Sequence, residues 1–529
     1  MNHPFRTALL VASALASLSA SAQTEPSETG LSTLPAPLPV AEAPAAPAAP
    51  VSPVAGILAA KPPVTPYADP LSLEAAMSQA LAANYDVKLQ RLTTTSAADN
   101  EQIALSDFDT TLAVSASTGE YVDASGTTVN PRTESRDSRL SASQRLSSTG
   151  ATVTASGSLA RSERTPSTSL LNPAYNSDVG LAIRQPLLKG AGSTINQSAL
   201  ERARLGTERA RADFAAQVFT LVRDVEVAYA SLALAREQVG IRSFSLEVRK
   251  KLLEENTARR ETGVATDLEV LQAEVGVATA ARDLLLARQT AQDREDELQR
   301  LLGRDTFENP IGPVALVQST PPPVDVVASL QRARANTPEY ASAIASIRQQ
   351  EIDVRTAKNA RLPQLDLGVQ GGFNDTSARA NESATDLWNG DGYSWQMDLS
   401  LSLPWGFREE RARLRQARSS LDREELRRAQ IEQQILVSVR SSVRAVETGI
   451  ENLRLSALAA TLAAREYEVE KARYDSGLST FRRVQETQDA LDQARLAELQ
   501  AKVNLRTAQA NLDRLEGTAP DRYRLSLLP

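Results

Sequence analysis

Two rhythms of apolar and polar residues alternate along this chain, and their order is run through twice. One has the period of a coiled coil. Phe214, Val218, Leu221, Val225, Ala228, Leu232, Ala235 and Val239 recur at alternating spacings of four and three, which lines up one seam of a helix against a partner helix. They lie in a proline-free stretch from Asn196 to about Ala258, which as a helix rising ~1.5 Å per residue reaches roughly 95 Å. Ile435, Val439, Val443, Val446, Ile450 and Leu453 mark a similar stripe inside Arg408 to about Tyr474. The other rhythm is strict alternation. From Trp395 to Leu403 the apolar Trp395, Met397, Leu399, Leu401 and Leu403 alternate with Gln396, Asp398, Ser400 and Ser402. Gln364 to Phe373 sets Leu365, Leu367 and Val369 against Asp366 and Gln370. Segments of about ten such residues suit a tilted transmembrane barrel strand, apolar side to lipid and polar side to a watery lumen. Alternation by itself suits a half-buried soluble sheet as well.

The order of predicted elements makes the duplication plain. Helices over Leu73 to Asn84 and Val87 to Ser106 lead to a strand at Thr111 to Ser117, and a strand at Val179 to Leu188 leads into the first long helix and an elbow, Glu261-Thr-Gly-Val-Ala-Thr266. Helices over Val326 to Asn336 and Glu339 to Ala360 lead to strands at Gln364 to Phe373 and Trp395 to Trp405, then to the second long helix and a matching elbow, Asp475-Ser-Gly-Leu-Ser-Thr480. A unit repeated at this scale is architecture rather than a catalytic cleft. Gly263 and Gly477 supply the backbone freedom that a tight helical hairpin needs. Thr266 and Thr480 are placed to cap the returning helices, Thr266 with Asp267 behind it. The first unit carries an additional hairpin, Arg139 to Ser147 and Thr152 to Leu159 about the turn Ser148-Thr-Gly150, with polar outer loops over Gly119 to Asp137 and Arg161 to Ser177. The insertion shows in the offset between units, 253 residues from Leu112 to Leu365 but 218 from Pro186 to Pro404.

At the N-terminus, Arg6 precedes an apolar run from Ala8 to Leu18, and Ala20-Ser-Ala22 offers small residues to a signal peptidase, so a signal peptide cut after Ala22 is expected. That run is too short to span a bilayer. Thr24 to about Pro70 is rich in Pro and Ala with almost no charge, and reads as a disordered or partly extended tether. The chain thus divides into a signal peptide (1–22), a Pro/Ala-rich linker (23–70), a first unit of helices and four strands (71–303), a second of helices and two strands (304–518) and a tail (519–529).

Composition narrows the chemistry. There is no Cys, and the only His is His3, inside the expected signal peptide. Thiolate, imidazole and zinc chemistry therefore have no side chains to work with, and an enzyme would be left with carboxylate, Ser/Lys or Tyr groups. Asp366 and Asp398 form a conceivable carboxylate pair, but both alternate onto the presumed lumen face, where solvation accounts for them. No cofactor or metal is implied. Only Met1, Met77 and Met397 are present, which argues against a path specialised for copper or silver. A formal charge of −7 gives no footprint for nucleic acid.

Six strands cannot close a barrel with a usable lumen, and leaving them open would expose unpaired edges to lipid. Several protomers must then share one barrel. Three copies give about eighteen strands, within the range that keeps an aqueous channel open, or about twelve if the additional hairpin folds outside the wall.

Leu362-Pro-Gln-Leu-Asp before a strand, Leu401-Ser-Leu-Pro-Trp leaving one, Arg184-Gln-Pro-Leu-Leu at the equivalent place and the paired Gly elbows resemble the TolC family of outer-membrane efflux and secretion ducts. The resemblance covers about Leu71 to Gly517. It implies an α+β membrane protein: a homotrimer sharing one transmembrane β-barrel in the outer membrane lipid, with a long periplasmic α-helical coiled-coil tunnel and two structural repeats per chain. It implies as partners a periplasmic adaptor (membrane fusion) protein and an inner-membrane transporter, the whole being a tripartite efflux or type I secretion system. Gly263, Val264, Gly477 and Leu478 then correspond to the tip turns that touch the adaptor, Glu269 and Tyr474 to a gate latch between neighbouring coils, and Arg483 and Glu486 to the constriction. In the family that ring can be acidic. Arg483 departs from it and implies a mixed-charge constriction with altered ion preference. A secreted periplasmic coiled-coil structural protein without channel activity is the competing reading; it accounts for the helices but not for the alternating strands.

Overall fold

The computed structural model describes residues 70–123, 131–304, 310–315, 325–389 and 391–519. The expected signal peptide, the tether up to residue 69 and the tail beyond Ala519 lie outside the described residues. The first half runs α1 (Leu73–Ala83), α2 (Tyr85–Ser106), β1 (Thr111–Val122), β2 (Arg132–Arg145), β3 (Thr152–Thr165), β4 (Ala174–Pro186), the single turn α3 (Ser193–Asn196), α4 (Ser198–Glu261) and α5 (Asp267–Leu301). The second runs α6 (Val326–Asn336), α7 (Pro338–Ala360), β5 (Gln364–Ser377), α8 (Ala380–Asp386) with a 3₁₀ turn (Leu387–Asn389), β6 (Tyr393–Ser402), α9 (Arg408–Asp475) and α10 (Phe481–Glu516).

The long helices are as long as the seams predict, 64 residues in α4 and 68 in α9. Phe214, Val218, Leu221, Val225, Ala228 and Leu232 of α4 are buried in one core with Ala76, Met77 and Ala80 of α1, Val87 of α2 and Leu298 and Leu301 of α5. Ile435, Val439, Val443 and Val446 of α9 pack with Ala333 of α6 and Leu505 and Leu512 of α10. The second seam is interrupted at Ile450, which is exposed, while Leu453 at its predicted end packs against the same core. Gly449 faces the partner instead, and a Cβ there would meet Leu505 at 3.2 Å. Arg506 of α10 and Glu226 of α4 make an ion pair that joins the halves, with Glu226 almost fully buried. Such a pair costs desolvation and is strongly destabilising to break. Asn84 closes the junction of α1 and α2: its side chain accepts from the N–H groups of Asp86 and Val87 and donates to the Leu301 carbonyl at 3.1 Å. No described helix is long and apolar enough to cross a membrane.

All six strands form one antiparallel sheet in chain order, β1 to β6, with β1 and β6 at its edges. The register places Val114, Leu140, Gly157, Val179, Phe373 and Tyr393 in one row across the sheet, and Leu112, Ala142, Ala155, Leu181, Gly371 and Trp395 in another. The row between them, on the opposite face, is Ala113, Ser141, Ser156, Gly180, Gly372 and Ser394. Period-two alternation in each strand, held in register by the ladder, thus gives one apolar and one polar face. At the outer end the β5–β6 connection folds back over the apolar face. Ser383 of α8 and Ser177 of β4 lie 2.7 Å apart through their hydroxyls, and Leu387 is buried.

The strands are longer than their alternating cores. β1 continues to Val122 and β2 begins at Arg132, inside what reads as the outer loop Gly119 to Asp137; β3 runs to Thr165 and β4 starts at Ala174, inside Arg161 to Ser177. The extensions are polar pairs, Arg132 with Glu120 at 3.0 Å and with Glu134 at 2.9 Å, and Arg161 with Glu163. Arg132–Glu120 crosses from β2 to β1, and the other two pairs run along their own strands; charge pairs can accompany a ladder where no apolar face is needed, so apolar alternation marks only part of each strand.

Candidate functional site

At the far end of the helices lie two elbows of the same construction. In the first, Thr262 ends α4, Gly263 takes φ +77°, its N–H bonds the Arg260 carbonyl at 2.9 Å and the N–H of Val264 bonds the Arg259 carbonyl at 2.9 Å. In the second, Ser476 ends α9, Gly477 takes φ +74°, its N–H bonds the Tyr474 carbonyl at 3.0 Å and that of Leu478 bonds the Arg473 carbonyl at 2.8 Å. Both are Schellman turns, in which a left-handed residue at the helix end favours Gly. In such turns the residue after the Gly commonly packs back on its helix. Here Val264 and Leu478 are instead 75% and 71% exposed.

The returning helices differ. Thr266 accepts from the Glu269 N–H at 3.3 Å and the Glu269 carboxylate accepts from the Thr266 N–H at 2.8 Å, a complete capping box. Thr480 holds the corresponding position but its side chain makes no cap hydrogen bond, and Arg483 three residues on has no acceptor for the reciprocal half of a capping box. What holds the start of α10 is Phe481, 2% exposed, packed with Tyr474 and Val484 and with Leu252 and Ala273 of the other hairpin.

The Tyr474 hydroxyl donates to Asn256 Oδ1 at 3.1 Å, across from α9 to α4, and the Arg259 guanidinium sits over its ring, 4.4 Å from the centroid. Burial pushes the Tyr474 hydroxyl above its usual pKa, against the pull of Arg259, so it is a neutral donor. A phenol has one proton to give. With that proton on Asn256 and the Glu269 carboxylate on Thr266, the two latch residues are not joined to each other within this chain. Asn256 is the residue sequence reasoning missed. It follows the buried Leu252 by four positions, on the same face of the helix, and a polar side chain in register with an apolar one is the signal that could have found it.

Arg483 and Glu486 lie exposed on the first turns of α10. Glu486 bonds Arg482 at 2.9 Å and Arg483 at 3.4 Å, and Arg483 reaches Glu466 of α9 at 3.7 Å. The hydrogen bond from Arg482 holds the Glu486 carboxyl below its usual pKa. The local charge is mixed. At the other end of the molecule Asp366 and Asp398 share the polar face of the sheet. Asp366 is buried and bound by Arg184 at 2.8 Å and Gln364 at 2.9 Å, an arrangement that neutralises it rather than pairing it with Asp398.

The profile of the outer membrane efflux protein family matches residues 151–304 and 329–518. The chain belongs to that family. The TolC-family resemblance read from the sequence therefore holds, and with it a place in the outer membrane, extending into the periplasm. The pyoverdine export outer membrane protein OpmQ of Pseudomonas aeruginosa is 28% identical over 326 residues, covering 58% of this chain and 65% of that protein. OpmQ of Pseudomonas putida is 27% identical over 330 residues, 60% and 65% of the two chains. The chain thus spans just under two thirds of the length of these relatives. Among solved structures, the outer-membrane channel OprN aligns with TM-score 0.65 at 20% identity over 84% of this chain and 90% of its own. The Campylobacter jejuni outer membrane channel CmeC aligns with TM-score 0.64 at 18% identity over 84% and 86%. Both share the fold, a long helical part with a β domain.

Proposed function

We propose that this efflux-family chain is the outer-membrane duct of a tripartite efflux or type I secretion system, a homotrimer that passes cargo from an inner-membrane transporter through a channel gated at its helical tip. The observation that carries the reading is the sheet. It is apolar on one face from β1 to β6, and its two edge strands have backbone groups that lipid cannot satisfy. Pairing β6 of one copy with β1 of the next closes the wall. The helices support the same arrangement. Leu455, Leu458, Leu462 and Val469 of α9 and Leu268, Leu271 and Val275 of α5 are exposed at heptad-like spacings, seams that a neighbouring copy's coils would fill. The two halves, with their matching order of elements, act as repeats that place six hairpins around a trimer's tunnel.

The exposed Val264 and Leu478, each presented by a rigid turn, are the adaptor-contacting points. Tyr474 and its Asn256 partner tie the second hairpin to the first, and an adaptor that binds only the splayed form would shift the population toward open. Glu269, one helical turn from the elbow, is the acceptor Tyr474 would reach on a neighbouring coil if the hydroxyl left Asn256. Arg483 and Glu486 line the constriction and give it mixed charge. In planar bilayers the wild-type protein is expected to show small, brief openings, and Tyr474→Phe or Glu269→Ala to raise single-channel conductance. Pores that no tip variant alters would remove the latch, and no pores at all would remove the duct.

A further inference from the structure

We propose that the outer rim of the sheet is a binding site for a phosphorylated glycolipid of the outer leaflet, with an acyl chain in the groove beside α8 and a phosphate on Arg136 and Arg161. The inference rests on the membrane-duct reading and adds to it a particular lipid at a particular place on the wall. The groove comes from the fold-back of the β5–β6 connection over the apolar face. Ser383 donates to the Asp375 carbonyl at 3.1 Å and meets the Ser177 hydroxyl at 2.7 Å, which holds α8 against β3, β4 and β5. Leu387 and Trp388 then roof a groove of about 480 Å³ whose floor includes Val114, Leu140, Leu159 and Val179, a volume in the range of ligand clefts. Gly157 lies in that floor, in register with Leu140 and Val179. A Cβ there would meet nothing nearer than Val179 at 3.7 Å, so the depth is set by an absent side chain and not by crowding. Trp388 is 73% exposed, and an exposed Trp on a membrane wall belongs at headgroup depth.

Charge marks where the phosphate sits. On the same face, the row just beyond Leu159 and Ser177 sets Arg136 directly opposite Arg161, with Tyr175 beside them. Side chains so paired stand about 5 Å apart, and like charges there destabilise a sheet. Arg161 has Glu163 on its own strand, and Arg132 binds Glu120 and Glu134. That leaves Arg136, which is exposed, as the unpaired cation of this patch among the described residues. A phosphate between the two guanidinium groups replaces their repulsion with charge-assisted hydrogen bonds, for which the planar fork of Arg is well shaped.

The strands continue past the arginines, and this selects a glycolipid over a glycerophospholipid. Glu120, Glu134 and Glu163 form the next row on that face and Arg132 stands in the one after, about 7 and 14 Å further out at roughly 3.4 Å per residue. Their mutual ion pairs neutralise the acidic row, so it does not repel the phosphate. Carboxylates and a guanidinium at that height are hydrogen-bond partners for sugar hydroxyls, which a glycolipid carries there and a glycerophospholipid does not.

The test titrates the full-length protein in mild detergent with diphosphoryl lipid A, with its dephosphorylated form and with phosphatidylglycerol, counting bound lipid by native mass spectrometry. Diphosphoryl lipid A is expected to bind about tenfold more tightly than the dephosphorylated form, and several-fold more tightly than phosphatidylglycerol. Arg136→Gln, at an exposed position, should weaken its binding about tenfold, and Gly157→Leu, which fills the floor of the groove, several-fold. If both variants bind as the wild type does, the site is overturned. If phosphatidylglycerol binds as well as diphosphoryl lipid A, the glycolipid assignment is overturned. Wild-type pores in planar bilayers keep the two readings apart: where pores form, a negative titration removes the lipid site alone, and where none form the duct reading beneath it falls.

Discussion

The two elbows have nearly the same backbone and opposite ways of staying folded. The first is self-sufficient: Thr266 and Glu269 cap α5 reciprocally, and Asp267 and Glu269 place negative charge at a helix N-terminus, where the dipole favours it. The second is dependent. Arg482 and Arg483 sit in the first turn of α10 against the dipole, no acid precedes them, and Thr480 does not cap. Its order comes from Phe481 and Tyr474 packed on Leu252 and Ala273 of the first hairpin and from the bond to Asn256. Separating the hairpins would leave the first tip's cap intact and strip the second of its Phe481 packing and its bond to Asn256. If the tip gates as proposed, α9–α10 is the part expected to move and α4–α5 the part expected to stay.

The largest effect should come from Phe481→Ala, which empties a site that is 2% exposed and should cost about 3 kcal/mol of packing. Amide exchange is expected to accelerate through the first turns of α10 while α5 keeps its protection; equal acceleration in both helices would erase the distinction. Removing the caps sharpens it from the other side. Thr266→Ala should cost about 1 kcal/mol, whereas Thr480→Ala, with no cap bond to lose, should change the unfolding midpoint little. Two equal losses would mean that the second tip caps itself after all. The smallest effect is that of pH. Because Arg482 lowers the Glu486 pKa in the folded chain, its contribution is fully present above the usual carboxylate range and is lost as pH falls through the lowered value. Tip conductance should therefore be flat around neutrality and change only in acid, and Glu486→Gln should abolish that change. A transition near neutral pH would contradict this assignment.

Much of this was legible beforehand because it is periodic. The buried seam from Phe214 to Leu232, the alternation of Trp395 to Leu401 and the paired Gly elbows are each a repeated physical requirement, and each element formed where its pattern lay. The strand ends were not legible, since Glu120 and Arg132 pair across the ladder, Arg161 and Glu163 pair along β3, and none of them carries an apolar signal. Nor was the fold-back of α8, whose contacts include Ser383 with Ser177, 206 positions away. At the tip, the chemistry of Thr266 and Thr480 looked alike because capping was read from the Thr alone. The residue three positions on, Glu269 or Arg483, decides whether the box can be reciprocal. The partner of Tyr474 lies in the other half of the chain, where local pattern says nothing about pairing.

The account rests on several chains sharing one wall, and the mass of the detergent-extracted complex tests this most directly, by size exclusion with light scattering and the detergent subtracted. A protein mass near three mature chains is the predicted result. A monomer, or extraction into buffer without detergent, would contradict it and leave a soluble coiled-coil protein in place of the duct.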